Sequence, residues 1–236
     1  MNRLLLAALV LFNGTPAMAQ ELNSSPYDTR EDTIEPVERI EVNGAFKVMV
    51  FSTDGEARVT FHGPAEMIAD AEATVIDGTL TIAYRDGKPW SWNAGSGTNV
   101  VIKLPRISSV KTVGPADVSV YRPASDEFAA STTGAGRIEV SDIAARTVAA
   151  AVGGAGTIKL EGTSLAAQYA TGGAGSIEAK RLRSARAEIA IGGAGSVYAD
   201  VSESATVAKN GAGSVEIVGG ATCTISPPDA RGVECR

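Results

Sequence analysis

Trp90 and Trp92 sit two residues apart in the run Lys88-Pro89-Trp90-Ser91-Trp92-Asn93-Ala94-Gly95. In an extended segment, residues i and i+2 share one side. Exposed indole faces at that spacing would stack on sugar rings or fill a partner's pocket. In the blander arrangement they cover one end of the core. A second set, Glu139, Lys159, Glu178, Tyr198 and Glu216, recurs at steps near twenty residues. Two carboxylates roughly 5–9 Å apart could cleave a glycosidic bond. Lys159 falls between Glu139 and Glu178, however, and opposite charges alternating along a solvated wall limit like-charge repulsion. His62 is the single histidine, so a His-based metal site or a Ser-His-Asp triad would have to pivot on it. Nothing near it in sequence supports either, and it reads as a solvated strand residue. No catalytic residue, cofactor or metal site is therefore expected. Cys223 and Cys235 are the only cysteines. They lack the Cys-x-x-Cys spacing of a redox pair and read as a structural disulfide.

The elements that would carry these residues are set by a six-fold repeat. Gly114-Pro115-Ala116-Asp117-Val118 opens it, and Gly-Ala-Gly triplets follow at Gly134, Gly154, Gly173, Gly193 and Gly211. A regular period of this length is the mark of a solenoid. After each turn a polar residue precedes a β-branched one: Val118, Ile138, Ile158, Ile177, Val197, Val215. The next position is mostly polar, and the one after it returns to apolar. Alternation with period two is a strand with one buried face. The Ile/Val column is expected to point inward, with the Glu/Lys/Tyr column facing water.

A second strand, rich in small residues, precedes each turn, as in Ala149–Val152 and Glu188–Ile191. Which alternate set faces inward is open. Its small residues suggest a thin solenoid. The glycines serve tight corners or close approach of neighbouring coils. A phosphate loop would need one such turn between a strand and a helix. A calcium nonapeptide repeat would need an Asp in each turn.

Residues 1–19 read as a signal peptide: Arg3, then an apolar run, then Ala17-Met18-Ala19. The run is too short to span a bilayer, and no membrane span is expected in the mature chain. Residues 20–37 are acidic, carry Pro26 and Pro36 and lack apolar periodicity. They read as a flexible linker. Residues 38–236 are expected to form one domain. Within it, 38–105 is a less regular β section, 106–218 the regular repeats and 219–236 a disulfide-clipped end. Gly63-Pro64 could open a short helix over 65–71. The net charge of −6 argues against nucleic acid and anionic membranes as partners.

Arg39-Ile40-Glu41-Val42, Asp77-Gly78-Thr79-Leu80-Thr81-Ile82 and the repeated Gly-Ala-Gly-Ser-Ile/Val-Glu resemble the DUF2807 family, the auto-transporter adhesin head GIN domain. The resemblance covers about residues 38–218. It implies an exported bacterial β-solenoid and supplies no catalytic residues. The expected fold is all-β: a single parallel, right-handed β-solenoid of about twenty residues per coil. The expected role is an exported, non-enzymatic structural or binding module of the periplasm or cell surface. Its partner would be an envelope polysaccharide or another envelope protein. The alternatives are a polysaccharide-acting β-helix enzyme and a self-associating structural spacer.

Overall fold

The computed structural model describes residues 27–85 and 98–236. Among the described residues, seventeen strands join in one continuous sheet wrapped into a parallel β-solenoid of about six regular turns, roughly twenty residues apart. The N-terminal part holds β1 (Tyr27–Thr33), β2 (Arg39–Asn43), β3 (Lys47–Ser52), β4 (Arg58–Pro64), helix α1 (Ala65–Asp70), β5 (Ala71–Ile76), β6 (Thr79–Tyr84) and β7 (Asn99–Leu104). The solenoid continues through β8 (Ser109–Val113), β9 (Asp117–Tyr121) and β10 (Glu127–Thr133). Four long strands follow: β11 (Arg137–Val152), β12 (Thr157–Thr171), β13 (Ser176–Ile191) and β14 (Ser196–Lys209). The chain closes with β15 (Ser214–Val218), β16 (Thr222–Ser226) and β17 (Val233–Cys235).

The β-branched column is a true ladder. Val100, Val48, Val118, Ile138, Ile158, Ile177, Val197, Val215 and Val233 pair in unbroken register across nine stacked strands. From Val100 to Val215 each is at most 1% exposed. Each coil lends one side chain and cannot bury it without its neighbours, as stacked repeats require.

The second wall resolves the parity that sequence left open. Its inward ladder runs Leu80, Ile40, Val110, Ala130, Ala150, Tyr169, Ile189, Val207 and Ile225. Phe128 and Tyr169 are both 2% exposed. The interior is therefore thicker than its alanine content suggests. The small residues are largely on the outside, where Ser131, Ala151, Ala170, Ala190 and Ala208 form an in-register outward column. Tyr169 fits because Ala150 is its neighbour in the coil below.

The coils at the N-terminal end are not stacked in chain order. The β2–β3 coil is sandwiched between the β6–β7 coil and the β8–β9 coil. The chain winds one coil, crosses to its outer side for the next, then returns to start the regular repeats. The crossing segment seals that end with antiparallel strands: β5 on β6 through the Asp77-Gly78 turn, and β4 on β7. Helix α1 bridges them, with Pro64 as its N-cap residue.

The acidic segment read as a linker is structured over Tyr27–Thr33. Strand β1 pairs antiparallel with β4. Arg30 lies 4.3 Å over the Phe61 ring and donates to the carbonyls of Ile68 (2.7 Å) and Ala71 (2.8 Å). Arg30 thereby ties β1 to the C-terminal end of α1 and the start of β5, where the Ile68 carbonyl also accepts from the backbone N–H of Ala71. Arg58–Glu31 (2.6 Å) and Arg30–Asp32 (3.1 Å) pair two of the segment's acids.

At the opposite end, Cys223 and Cys235 form a disulfide. Their register partners are Ala205 and Ile217, both core residues. The bridge joins the two walls inside the last coil, where the core runs out.

Candidate functional site

Each long strand turns a corner after its first wall, and the pairing register shifts there: between Val140 and Ile143, between Lys159 and Glu161, and between Ala179 and Arg183. Such bulges bend a strand and re-aim its side chains. The stacked bends enclose a groove of about 600 Å³ on the outside of the solenoid. Its floor is the outward column Glu139, Lys159, Glu178 and Tyr198, and its flank carries Glu161, Lys180 and Arg181. Three carboxylates face three cations.

The charges neutralise one another locally. Lys159 Nζ lies 3.7 Å from Glu139 and 3.6 Å from Glu178, so it bridges two coils. Arg181 donates to Glu161 at 2.6 Å. Lys180 sits 5.1 Å over the Tyr198 ring and donates to Glu216 at 2.8 Å. That hydrogen bond is the main reason the Glu216 carboxyl lies below its ordinary value; partial desolvation opposes it, and the charges of Lys180 and Arg236 assist. The expected alternation of charge along the wall is thus present, pair by pair. Glu139 and Glu178 are 43% and 47% exposed. These are solvated ion pairs, without the apolar burial that tunes a general acid.

Sequence reasoning found the column but missed the flank. Glu161, Lys180 and Arg181 fall outside the simple repeat because they stand at the bulges. The one available signal was the excess of charge just after each strand's apolar pair. A second, shallower groove of about 540 Å³ runs over the outward alanines of the other wall, with Gln168 and Glu188 among them.

The other expected site residues scatter. Trp90 and Trp92 lie outside the described residues. Of the described residues nearest to them in sequence, Tyr84 donates to Thr98 Oγ1 at 3.1 Å and stacks on Phe46 with 4.2 Å between ring centres. His62 is exposed, as expected, and its Nδ1 lies 2.9 Å from Thr29 Oγ1 across the β1–β4 pair. Among the described residues no group of three or more His, Cys, Asp or Glu is placed to hold a metal ion.

The chain matches the family described as "Putative auto-transporter adhesin, head GIN domain" (DUF2807) over residues 37–221. The protein belongs to the DUF2807 family. The match starts just ahead of β2 and ends before β16, so strand β1 and the disulfide coil lie outside it. Among solved structures, a Bacteroides fragilis protein described as a putative adhesin is 24% identical with a TM-score of 0.76. The alignment spans 90% of this chain and 93% of that one. A Parabacteroides distasonis protein described as a putative lipid binding protein is 16% identical, with a TM-score of 0.67, over 89% and 94%. A putative adhesin from Parabacteroides merdae is 15% identical, with a TM-score of 0.61, over the same shares. At these identities the likeness is one of fold. No curated protein matches the chain.

Proposed function

We propose that this DUF2807 protein is an exported, non-catalytic binding module of the bacterial envelope, acting in the periplasm or at the cell surface. Its partner in this reading is an envelope polysaccharide or another envelope protein. The observation that carries the proposal is the groove at the stacked bends. It repeats side chains in register along the solenoid axis, and its acids are already matched by cations. A surface built this way presents a row of hydrogen-bonding groups to an extended partner. A hydrolase would instead concentrate unpaired carboxylates in a water-poor cleft. The disulfide and the adhesin-like family support export.

Two surfaces could do the binding: the groove, and the loop with Trp90 and Trp92. The test is retention of purified protein on washed envelope fractions. Three proteins are compared: wild type, Trp90→Ala/Trp92→Ala, and Lys159→Ala/Tyr198→Ala. Selective loss in one double variant assigns the surface. A wild type that is not retained at all overturns the binding reading. Concentration-dependent self-association by sedimentation, with no retention, would favour the structural spacer instead.

A further inference from the structure

The groove has a chemical periodicity of its own. Its floor column pairs in register as Glu139, Lys159, Glu178 and Tyr198, and the same column continues one coil past the groove to Glu216. Acids recur at every second coil, with a lysine and then a tyrosine between them. Neighbouring strands lie about 4.8 Å apart, so two coils advance roughly 9.6 Å. That advance is close to the length of two pyranose rings joined end to end. An extended β-1,4-linked chain, whose successive rings alternate in orientation and whose structural repeat is therefore a disaccharide, would offer the same hydroxyls to each glutamate in turn.

The lining also selects the ligand's charge. Three carboxylates and three cations line the groove, and Glu216 one coil beyond is paired with Lys180 and Arg236, so the track is near neutrality. The chain as a whole is acidic, at −6, which repels a polyanion at long range. A polycation would have to break the existing ion pairs. An apolar chain would meet charged groups on both sides. A neutral, hydroxyl-rich chain suffers none of these penalties. Hydroxyls can donate to the free lone pairs of Glu139, Glu178 and Glu216 and accept from Lys159 and Arg181. Hydrogen bonds with one ionised partner are roughly twice as strong as neutral ones. Tyr198 adds a ring against which a sugar's C–H face can pack.

We infer that the groove at the stacked bends is a track for a neutral β-1,4-linked glycan. The chain lies along the solenoid axis, one disaccharide to every two coils. This rests on the binding-module reading above and names the ligand class for one of its two surfaces.

The experiment is calorimetric titration of the purified protein with neutral β-1,4-linked cello-oligosaccharides of two, four and six rings. α-1,4-linked malto-oligosaccharides of the same lengths serve as the geometric control. Affinity should climb with each added disaccharide until the ligand spans Glu139 to Glu216, and the α-linked series should bind at least about tenfold more weakly, the factor that 1.4 kcal/mol represents. Tyr198→Ala should weaken binding about three- to tenfold, the value of an aromatic contact. Glu178→Gln should cost about tenfold, the value of one charge-assisted hydrogen bond. Glu178 is exposed and isosteric with glutamine, so this variant keeps the test valid even if Tyr198→Ala disturbs the wall. Three results overturn the inference: no saturable binding, equal affinity for both linkages, or affinity unchanged by both substitutions. Retention on envelope fractions without oligosaccharide binding would refute this inference alone. Loss of both would refute the binding-module reading with it.

Discussion

Gly172 and Gly173 are adjacent in sequence, yet the solenoid treats them oppositely. A methyl group built on Gly173 would lie 2.1 Å from the carbonyl oxygen of Gly154 in the coil below, and 2.8 Å from its carbonyl carbon. The obstacle is backbone, so no rotamer change relieves it. A methyl group on Gly172 meets nothing within 4 Å. Gly173→Ala should therefore force two coils apart. The destabilisation should reach the upper end of overpacking costs, about 3 kcal/mol. For a domain of this size that is a fall in Tm of about 6–12 °C. Gly172→Ala should be neutral, or stabilising by about 0.5 kcal/mol because alanine restricts the unfolded chain. Chemical denaturation and thermal melts of both variants make the comparison, with each variant controlling for the other. The reasoning fails if Gly173→Ala melts within 2 °C of wild type, or if the two substitutions cost the same. Either result would mean that the glycine corners do not stack tightly enough to exclude a methyl group.

The disulfide closes a short loop, so Cys223→Ser/Cys235→Ser should cost about 3 kcal/mol in the chain-entropy view. Hydrogen exchange should accelerate first in β16 and β17, and uniform acceleration along the chain would count against a local clip. Ile158→Ala should cost about 2–5 kcal/mol because it opens a cavity in the buried ladder. Its outward neighbour Lys159→Ala should cost under about 1 kcal/mol, since exposed ion pairs contribute little; denaturant midpoints would compare the two, and a Lys159 effect matching that of Ile158 would contradict the assignment of faces. Glu216 has its carboxyl lowered chiefly by the hydrogen bond from Lys180. The stability it adds is present above its unfolded value near 4.5 and is lost as pH falls through the lower folded value. Wild type and Glu216→Gln should therefore differ near neutrality and converge in acid, and a gap that widens on acidification would reverse the sign.

How much of this could be read from the chain differs by region, and for physical reasons. From Gly114 to Val218 the period carries the fold, because each Ile or Val has one possible role: filling a shared interior. On the second wall, periodicity could not choose a face. Ala129, Ala149 and Ala170 lie outward while Ala130 and Ala150 lie inward, and alanine is indifferent to either side. Strand β1 was hidden for a different reason. Its sequence, YDTREDT, has no apolar alternation, and its pairing depends on Arg30 reaching Phe61, Ile68 and Ala71. The exchanged coil order of β2–β3 and β6–β7 was also out of reach. All four strands have the same alternating pattern, and which one stacks on which is a long-range choice. At the groove, the repeat exposed the floor, but the concavity comes from register shifts that a twenty-residue period does not encode.

The two ends of the solenoid explain why the groove lies where it does. A stacked fold is stable roughly as the sum of its coils and the contacts between neighbours, and its ends fray first because each terminal coil lacks one neighbour. This protein closes its ends by different means. Antiparallel strands and a short helix cover the N-terminal coil, and a covalent bond joins the walls of the C-terminal one. The floor column from Glu139 to Tyr198 stands on β11 to β14, in the interior of the array, where every strand has a neighbour on both sides. Its side chains keep their spacing because the buried Ile/Val ladder beneath them fixes the rise of each coil. A substitution that loosens either end should therefore leave the register of Glu139, Lys159, Glu178 and Tyr198 intact. One that spreads the ladder itself, such as Gly173→Ala between β12 and β13, should disturb stability and the groove together. If binding survived a spread ladder unchanged, the in-register wall could not be what recognises the partner.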